Sequence, residues 1–145
     1  MDQRTEDAVR AEGAELYVRA FLMLELGIPT SVASRNTPGY DLIAHNIANG
    51  RNCFIQVKYR GAIDSDGAKI KNFNFNFMVY VAGNIGRVGR KEIEQKTKPR
   101  EFFILPKKIV QLKTGNQGLF RSPTRGGYDE YRNAWDLIRK FLFED

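Results

Sequence analysis

The spacing of apolar residues predicts a long helix near the start of the chain. Within residues 5–26, one apolar stripe repeats at 100° per residue and consists of Ala8, Ala11, Val18, Leu22 and Leu26. A second stripe faces elsewhere and consists of Val9, Gly13, Leu16, Ala20 and Leu24. Thr5 is the predicted N-cap, and Gly27 followed by Pro29 ends the helix. Because two stripes are present, the latter half of the helix is predicted to be buried nearly all round.

Alternating and continuous apolar runs predict strands in the rest of the chain. The runs lie at residues 30–34, 40–45, 52–59, 73–83 and 101–106. An Asn-Gly turn joins the second run to the third, which indicates a β-hairpin. The connections at 62–71, 114–118 and 122–127 are polar or rich in glycine and are interpreted as loops.

Two further helical segments are predicted near the end of the chain. Residues 107–110 predict a short helical turn, and residues 128–143 predict an amphipathic helix with Trp135 on its apolar face. The order of elements predicts a single α/β or α+β domain over residues 1–145. Its central mixed sheet of about five strands is flanked by helices.

Length and composition limit the classes of protein that fit. A chain of 145 residues with 42% hydrophobic residues is suited to one globular domain with a core of its own. No apolar run approaches the roughly 18 residues of a membrane span, and the N-terminus does not resemble a signal peptide, so a cytoplasmic protein is expected. The single cysteine, Cys53, and the single histidine, His45, exclude an internal disulfide, a cysteine zinc cage and a histidine-rich metal site within one chain.

Charge is distributed unevenly along the chain. Residues 1–50 hold 4 basic and 7 acidic side chains, whereas residues 51–125 hold 16 basic and 5 acidic ones. The densest basic block, residues 87–100, is interpreted as a loop. Such asymmetry favours a polyanionic partner, because cations placed on phosphates release condensed counterions. A solvated basic surface that aids solubility explains the charge equally well.

Four polar residues occupy positions where apolar ones are expected. Gln56 and Lys58 share one face of the third strand, while Asp41 lies where the chain enters the second strand. Glu15 lies in the middle of an apolar stripe of the first helix, where a carboxylate is costly unless it is paired or bound to a cation. An arginine partner at the edge of the core is one explanation for Glu15. Convergence of all four on a Mg²⁺ ion is another, because hard oxygen ligands suit that ion.

These residues resemble the PD-(D/E)xK nuclease superfamily, especially archaeal Holliday-junction resolvases and the PD-(D/E)xK homing endonuclease. The resemblance covers residues 12–60, through "AELYVRAFLMLELG", "GYDLIA" and "FIQVK". It implies a restriction-endonuclease-like core that uses Mg²⁺, for which Mn²⁺ substitutes. Asp41 would be the main metal ligand, Gln56 the second through its side-chain oxygen, and Glu15 a supporting ligand or base. Lys58 would activate water or stabilise the phosphate, and Gln56 replaces the usual acid of the motif.

Further residues are predicted to contact DNA. Ser34 and Arg35 lie in the loop before Asp41, where resolvase-like enzymes approach DNA, and Arg60 follows Lys58 on the same strand. The remaining candidates are basic residues outside the motif: Lys69, Lys71, Arg87, Arg90, Lys91, Lys96, Lys98 and Arg100.

Three functions are consistent with the sequence. The first is a Mg²⁺-dependent DNA endonuclease of the repair, restriction or homing type. The second is a nuclease-like protein that binds nucleic acid without cutting it, and the third is a protein-interaction subunit. A homodimer or dimer of dimers is expected, because cutting both strands needs two sites. Its interface would draw on aromatic residues beyond the needs of one small core: Phe73, Phe75, Tyr80, Phe102, Phe120, Tyr128 and Phe143.

Overall fold

The computed structural model describes residues 1–34, 36–88 and 91–144. The helices are α1 (Gln3–Leu24), α2 (Lys107–Lys113) and α3 (Asp136–Phe143). The strands are β1 (Thr30–Val32), β2 (Leu42–His45), β3 (Asn52–Ala62), β4 (Gly67–Lys69), β5 (Phe77–Ile85), β6 (Arg87–Val88), β7 (Lys91–Glu92), β8 (Glu101–Pro106) and β9 (Leu119–Arg121). Within the described ranges, no helix is long and apolar enough to cross a membrane.

A mixed sheet of five strands lies at the centre, in the order β1-β2-β3-β5-β8. Strands β3 and β5 are parallel, and the other neighbours are antiparallel. Every residue of β5 is buried, as expected for a central strand that is covered on both faces. The predicted α+β fold with a five-stranded mixed sheet and flanking helices is therefore confirmed.

The predicted hairpin is formed by β2 and β3, with Leu42 opposite Ile55 and His45 opposite Asn52. Strand β2 starts at Leu42, whereas β3 continues to Ala62 and pairs with β5 along its other edge. The two hairpin strands therefore part at Asp41, and the edge of β3 beyond this point has no β2 residue beside it. This fork lies next to Gln56 and Lys58.

The sheet separates two hydrophobic cores. The face that carries Ile55 packs against α1 and α3, with Val18, Leu22, Cys53 and Ile138 all fully buried. The opposite face packs against α2 and the small β4–β9 sheet, and its core includes Met78, Tyr80, Phe103, Leu105, Val110 and Phe120. Gln56 and Lys58 lie on this second face, because side chains alternate along β3.

Several predicted boundaries differ from the structure. Helix α1 begins earlier, because the Asp2 side chain rather than Thr5 is the N-cap and accepts a hydrogen bond from the Thr5 backbone N–H at 2.8 Å. The predicted strand at residues 73–83 begins only at Phe77. The loop predictions at 62–71 and 87–100 each contain short strands, of which β4 pairs with β9 and β6 pairs with β7.

The predicted helix over residues 128–143 is wrong in its first half. Only Asp136–Phe143 is α-helical, and a 3-10 turn occupies Asp129–Tyr131. Asn133 adopts a φ of 54°, which interrupts a right-handed helix, and its N–H bonds to the Phe102 carbonyl at 2.8 Å. The segment therefore runs along the edge of β8 before α3 begins.

The expectation of an aromatic surface available for assembly is also wrong. Phe75, Tyr80 and Phe120 are buried in the second core, and Phe73 and Tyr128 pack against the same core. Phe102 packs against the first core, and only Phe143 of the predicted set is exposed. The other six rings pack inside the protein.

The second apolar stripe of α1, by contrast, lies in solvent. Val9, Leu16 and Leu24 are 57%, 58% and 82% exposed, and Gly13 and Ala20 are exposed with them. Val9 and Gly13 border a groove between α1 and the sheet, whereas Leu16 and Leu24 lie on the side of α1 opposite the buried residues Val18 and Leu22. The prediction that the latter half of this helix is buried all round is therefore wrong.

Candidate active site

Asp41 is held at the fork between β2 and β3. Its backbone N–H bonds to the Ile55 carbonyl at 2.8 Å, and its Oδ2 accepts the Val57 N–H at 2.8 Å. The carboxylate thus takes the place of a backbone carbonyl as the acceptor for the N–H of Val57, which lies between Gln56 and Lys58. This contact fixes Asp41 beside both predicted partners on β3.

The turn before Asp41 depends on Gly39. Its φ of 96° lies in the left-handed region, and a Cβ added here would overlap Asn72 Oδ1 and lie 2.7 Å from Asn74 Cβ. The chain therefore passes tightly over residues 72–74 on its way into β2. Glycine is needed at this position for both its conformation and its size.

Glu15 reaches Asp41 from α1. Burial raises the pKa of Glu15 to about 7, and the charge of Asp41, a hydrogen bond with Asp41 and the charge of Glu12 act in the same direction. The partner of Glu15 is thus a second carboxyl group and not the arginine that was considered as an alternative. Glu15 therefore retains its proton up to near neutral pH.

Gln56 and Lys58 complete the group from the second face of β3. The Gln56 Oε1 atom is buried and has no hydrogen-bond partner among the described residues, which normally costs about 1–3 kcal/mol. Burial lowers the pKa of Lys58, with help from the charges of Arg60 and Lys71, while the charge of Asp41 opposes the shift. Lys58 and Asp41 therefore lie within electrostatic reach of each other.

The donor set fits a hard divalent cation. Two carboxylates and an unpartnered amide oxygen are ligands that Mg²⁺ accepts, usually with water and substrate oxygens in the remaining positions. In the described part of the chain, no three His, Cys, Asp or Glu side chains converge on one point. Gln56 can supply a third protein oxygen at this site through its side-chain amide.

The raised pKa of Glu15 predicts a pH-dependent stability of the protein without metal. Below pH 4.5, the carboxyl group is protonated in both folded and unfolded chains and has no effect. Between pH 4.5 and about 7 the unfolded chain releases this proton first, so the free energy of unfolding falls as pH rises and is lowest above pH 7.

Glu15→Gln should therefore stabilise the protein at pH 8 and have little effect at pH 4. Urea unfolding in EDTA at the two pH values measures this difference, with Glu94→Gln, an exposed carboxylate elsewhere, as the control. Equal effects of Glu15→Gln at both pH values would contradict the raised pKa of Glu15.

The residues predicted to contact DNA differ in their exposure to solvent. Ser34 is exposed in the loop before Asp41. Six further candidates have exposed side chains: Lys69, Lys71, Lys91, Lys96, Lys98 and Arg100. Arg35 and Arg90 lie outside the described residues.

Two of the predicted DNA contacts are engaged within the protein. Arg87 is only 11% exposed in its side chain and forms an ion pair with Asp7 of α1 at 3.0 Å. The Arg60 guanidinium donates to the carbonyls of Gly67 at 2.9 Å and Tyr59 at 2.7 Å. Arg87 was expected to be a surface cation, but it connects β6 to α1. Arg60 connects β3 to β4.

The segment 97–100 carries two of the exposed cations, Lys98 and Arg100, and is anchored to β5 by a residue that the sequence did not single out. Asn84 is buried with a φ of 54°, and its Nδ2 donates to the Pro99 carbonyl at 2.8 Å and to Glu101 Oε1 at 2.9 Å. Its own carbonyl accepts the Lys98 N–H at 2.9 Å. The neighbouring Lys98 and Arg100 side chains are thus presented from a fixed backbone.

Tyr80 is a second residue that the sequence indicated only as an aromatic ring. It lies opposite Lys58 in the β3–β5 register, and its buried hydroxyl has no hydrogen-bond partner among the described residues. A tyrosine in the middle of an apolar strand gives no signal that its hydroxyl will be buried without a partner.

Comparison with known proteins identifies the architecture. No family model matches the chain, and no curated protein matches it. Among solved structures, the protein is similar to a bacterial homing endonuclease, I-Ssp6803I, with a TM-score of 0.54 and 19% sequence identity. The similarity covers 97% of this chain and 94% of that chain. This likeness establishes a shared nuclease-like fold and agrees with the resemblance found in the sequence.

Proposed function

We propose that the protein is a Mg²⁺-dependent DNA endonuclease that hydrolyses phosphodiester bonds, of the repair, restriction or homing type. The observation that carries the proposal is the placement of Asp41 at the β2–β3 fork, where it accepts the Val57 N–H and lies within electrostatic reach of Glu15 and Lys58. The fold of a homing endonuclease supports DNA as the substrate. In this proposal the chain is a PD-(D/E)xK nuclease in which Gln56 takes the place of the second acid.

The residues proposed to hold the cation are Asp41, Glu15 and Gln56, with Asp41 as the main ligand. When bound, Mg²⁺ or Mn²⁺ would supply Lewis-acid activation of the scissile phosphate and of the attacking water. The unpartnered Gln56 Oε1 and the raised pKa of Glu15 support this assignment, because a cation would satisfy the amide oxygen and displace the proton of Glu15.

Lys58 is proposed to act on the reacting groups directly. Lys58 lies on the same strand face as Gln56 and follows Val57, whose N–H orients Asp41. A cation here stabilises the negative charge that develops on the phosphate in the transition state and orients the attacking water. The lowered pKa of Lys58 also makes the transfer of a proton from Nζ easier than for a solvated lysine.

A cleavage assay tests the proposal. Supercoiled, linear and branched DNA, together with RNA of matching sequence, are incubated with the protein in Mg²⁺, in Mn²⁺ and in EDTA. Metal-dependent nicking or linearisation of DNA supports the proposal. Salt-dependent binding without cleavage in any metal identifies a binding protein instead, and the absence of both activities favours a protein-interaction subunit.

The exposed cations near the end of β5 are proposed to bind the DNA backbone. Replacement of Lys96, Lys98 and Arg100 by alanine should weaken DNA binding and reduce the slope of log K against log salt by up to about 0.9 per lost phosphate contact. Fluorescence anisotropy at a series of salt concentrations measures the slope. Lys108, Lys113 and Lys140, replaced together, lower the net charge equally and provide the control. Equal slopes for the two triple variants would place the DNA elsewhere.

A further inference from the structure

A groove of about 560 Å³ lies between the first half of α1 and the central sheet. This volume falls within the range of about 300–1,000 Å³ that is usual for small-molecule sites. Buried apolar residues line it, among them Ala14 of α1 and Val81 and Ile85 of β5. None of the four candidate active-site residues contributes to its lining. The groove is therefore separate from the site at the β2–β3 fork.

Two glycines leave space in this groove. A Cβ added to Gly13 of α1 would meet nothing within 4 Å, so the surface of the helix is open at this point. A Cβ added to Gly83 of β5 would lie 2.5 Å from the hydroxyl oxygen of Tyr59, so a larger residue there would displace the ring. Glycine at position 83 thus allows the Tyr59 side chain to lie close against β5.

Aromatic rings form part of the groove lining. Tyr17 of α1 and Phe102 of β8 stack, with ring centroids 4.9 Å apart and an interplanar angle of 16°. Tyr17 is 51% exposed, so part of this stacked pair remains accessible to a ligand. Tyr59 of β3 adds another ring. Aromatic side chains in such positions bind flat aromatic ligands, as they do when nucleic acid bases stack on them.

The residues that line the groove carry positive charge. Lys98 and Arg100 are exposed there, on the backbone segment that Asn84 anchors. Arg10 also lines the groove, but it is paired with Glu92 at 3.1 Å. Among the described residues, no Asp or Glu lines the groove, and none forms an ion pair with Lys98 or Arg100. The charges of Lys98 and Arg100 are therefore available to an anion.

We propose that the groove binds a free mononucleotide, with its base against the aromatic rings and its phosphate on Lys98 and Arg100. An apolar aromatic lining beside two available cations is complementary to a ligand that joins a flat ring to an anionic group. A nucleotide has both features, and the volume of the groove suits a single small ligand. Binding requires neither a metal ion at the β2–β3 fork nor DNA cleavage, so the inference is independent of the proposed function.

Isothermal titration calorimetry of the full chain in EDTA tests the proposal, with deoxyadenosine monophosphate as the probe. EDTA removes divalent cations, so the phosphate cannot bind through a metal ion at the β2–β3 fork. Saturable binding of the probe is expected. Deoxyadenosine lacks the phosphate and deoxyribose 5-phosphate lacks the base, so each should bind at least about tenfold more weakly. A probe that does not bind, or that binds no more tightly than deoxyribose 5-phosphate, overturns the proposal.

Gly13→Leu places a side chain in the groove and should raise the dissociation constant of the probe at least about tenfold. The midpoint of thermal unfolding should stay the same or rise, because leucine enters open space and is the better helix former. Ala20→Leu adds bulk at an exposed position of α1 outside the groove and should bind the probe like the parent. A folded Gly13→Leu variant with the affinity of the parent would refute the assigned site.

The double variant Lys98→Ala with Arg100→Ala tests the position of the phosphate. It should bind the probe about tenfold or more weakly and bind deoxyadenosine like the parent, because only the charged contacts are lost. Lys108→Ala with Lys113→Ala removes the same charge from exposed positions of α2 and should change neither affinity. A double variant that loses affinity for both ligands equally contradicts this orientation.

A single-stranded oligothymidylate distinguishes a free nucleotide from a nucleic acid strand. If the parent binds the oligonucleotide but not the probe, and Gly13→Leu abolishes that binding, the groove is part of a nucleic acid surface. The mononucleotide proposal is then wrong.

Discussion

Asp41→Asn is expected to reduce Mg²⁺-dependent DNA cleavage by at least about a thousandfold, because it removes the charge of the main proposed ligand. The substitution keeps an oxygen at the position that accepts the Val57 N–H, so the fork between β2 and β3 should retain its geometry. DNA affinity should change little, because the exposed cations are untouched. Single-turnover cleavage and anisotropy binding, measured on the same substrate, separate the two effects.

Two further measurements sharpen this test. The pKa of Glu15 should move toward the ordinary value of a glutamate in Asp41→Asn, since the repelling charge of Asp41 is gone, although burial still raises it. The destabilisation of the metal-free protein between pH 4.5 and pH 7 should therefore become smaller. An Asp41→Asn protein that cleaves like the parent would show that the site has been assigned to the wrong residues.

Lys58→Met is expected to lower the rate of cleavage by about 100-fold to 1,000-fold, with only a small effect on DNA affinity. Methionine preserves much of the apolar stem of the lysine in its half-buried position but removes the ammonium group. The loss should fall on the chemical step, because Lys58 is proposed to contact the charge that develops in the transition state.

Lys69→Met serves as the control for Lys58→Met. It removes the same charge from an exposed position on β4, outside the proposed site. A weak effect on binding with a normal single-turnover rate is expected for it. If both variants lose the same factor in affinity and none in rate, Lys58 is a DNA contact and not a catalytic residue.

The convergence of Glu15, Asp41 and Lys58 could be predicted from the sequence because it depends on short-range patterns. The period of two places Gln56 and Lys58 on one face, and the Asn-Gly turn pairs their strand with the one that follows Asp41. The apolar stripe of α1 then brings Glu15 onto the same hairpin. The roles of these residues in metal binding and catalysis stay predictions.

Other features depended on contacts between distant parts of the chain. Arg87 pairs with Asp7, 80 positions earlier, and nothing in the basic block indicates this partner. The turn of Asn133 into the left-handed region follows from its bond to the Phe102 carbonyl, so amphipathic spacing alone overestimated the last helix.

The second apolar stripe of α1 illustrates a third limit of sequence patterns. An apolar periodicity reports that a surface avoids water, but it does not identify what covers that surface. Leu16 and Val18 have equally apolar side chains, yet Val18 is fully buried in the core and Leu16 is 58% exposed. Only the position of α1 on the sheet distinguishes them.

The buried thiol of Cys53 makes the rate at which the hairpin opens measurable. It is the only thiol in the chain, it lies fully buried on β3 opposite Ala44, and burial raises its pKa to about 12. A thiol reagent can therefore react only after the hairpin separates from α1 and the thiol ionises in water. The rate of labelling then measures how often the elements that carry Asp41 and Gln56 open, without any added probe. If Mg²⁺ slows the labelling of Cys53, the ion binds the folded protein. This measurement needs neither a variant nor DNA cleavage.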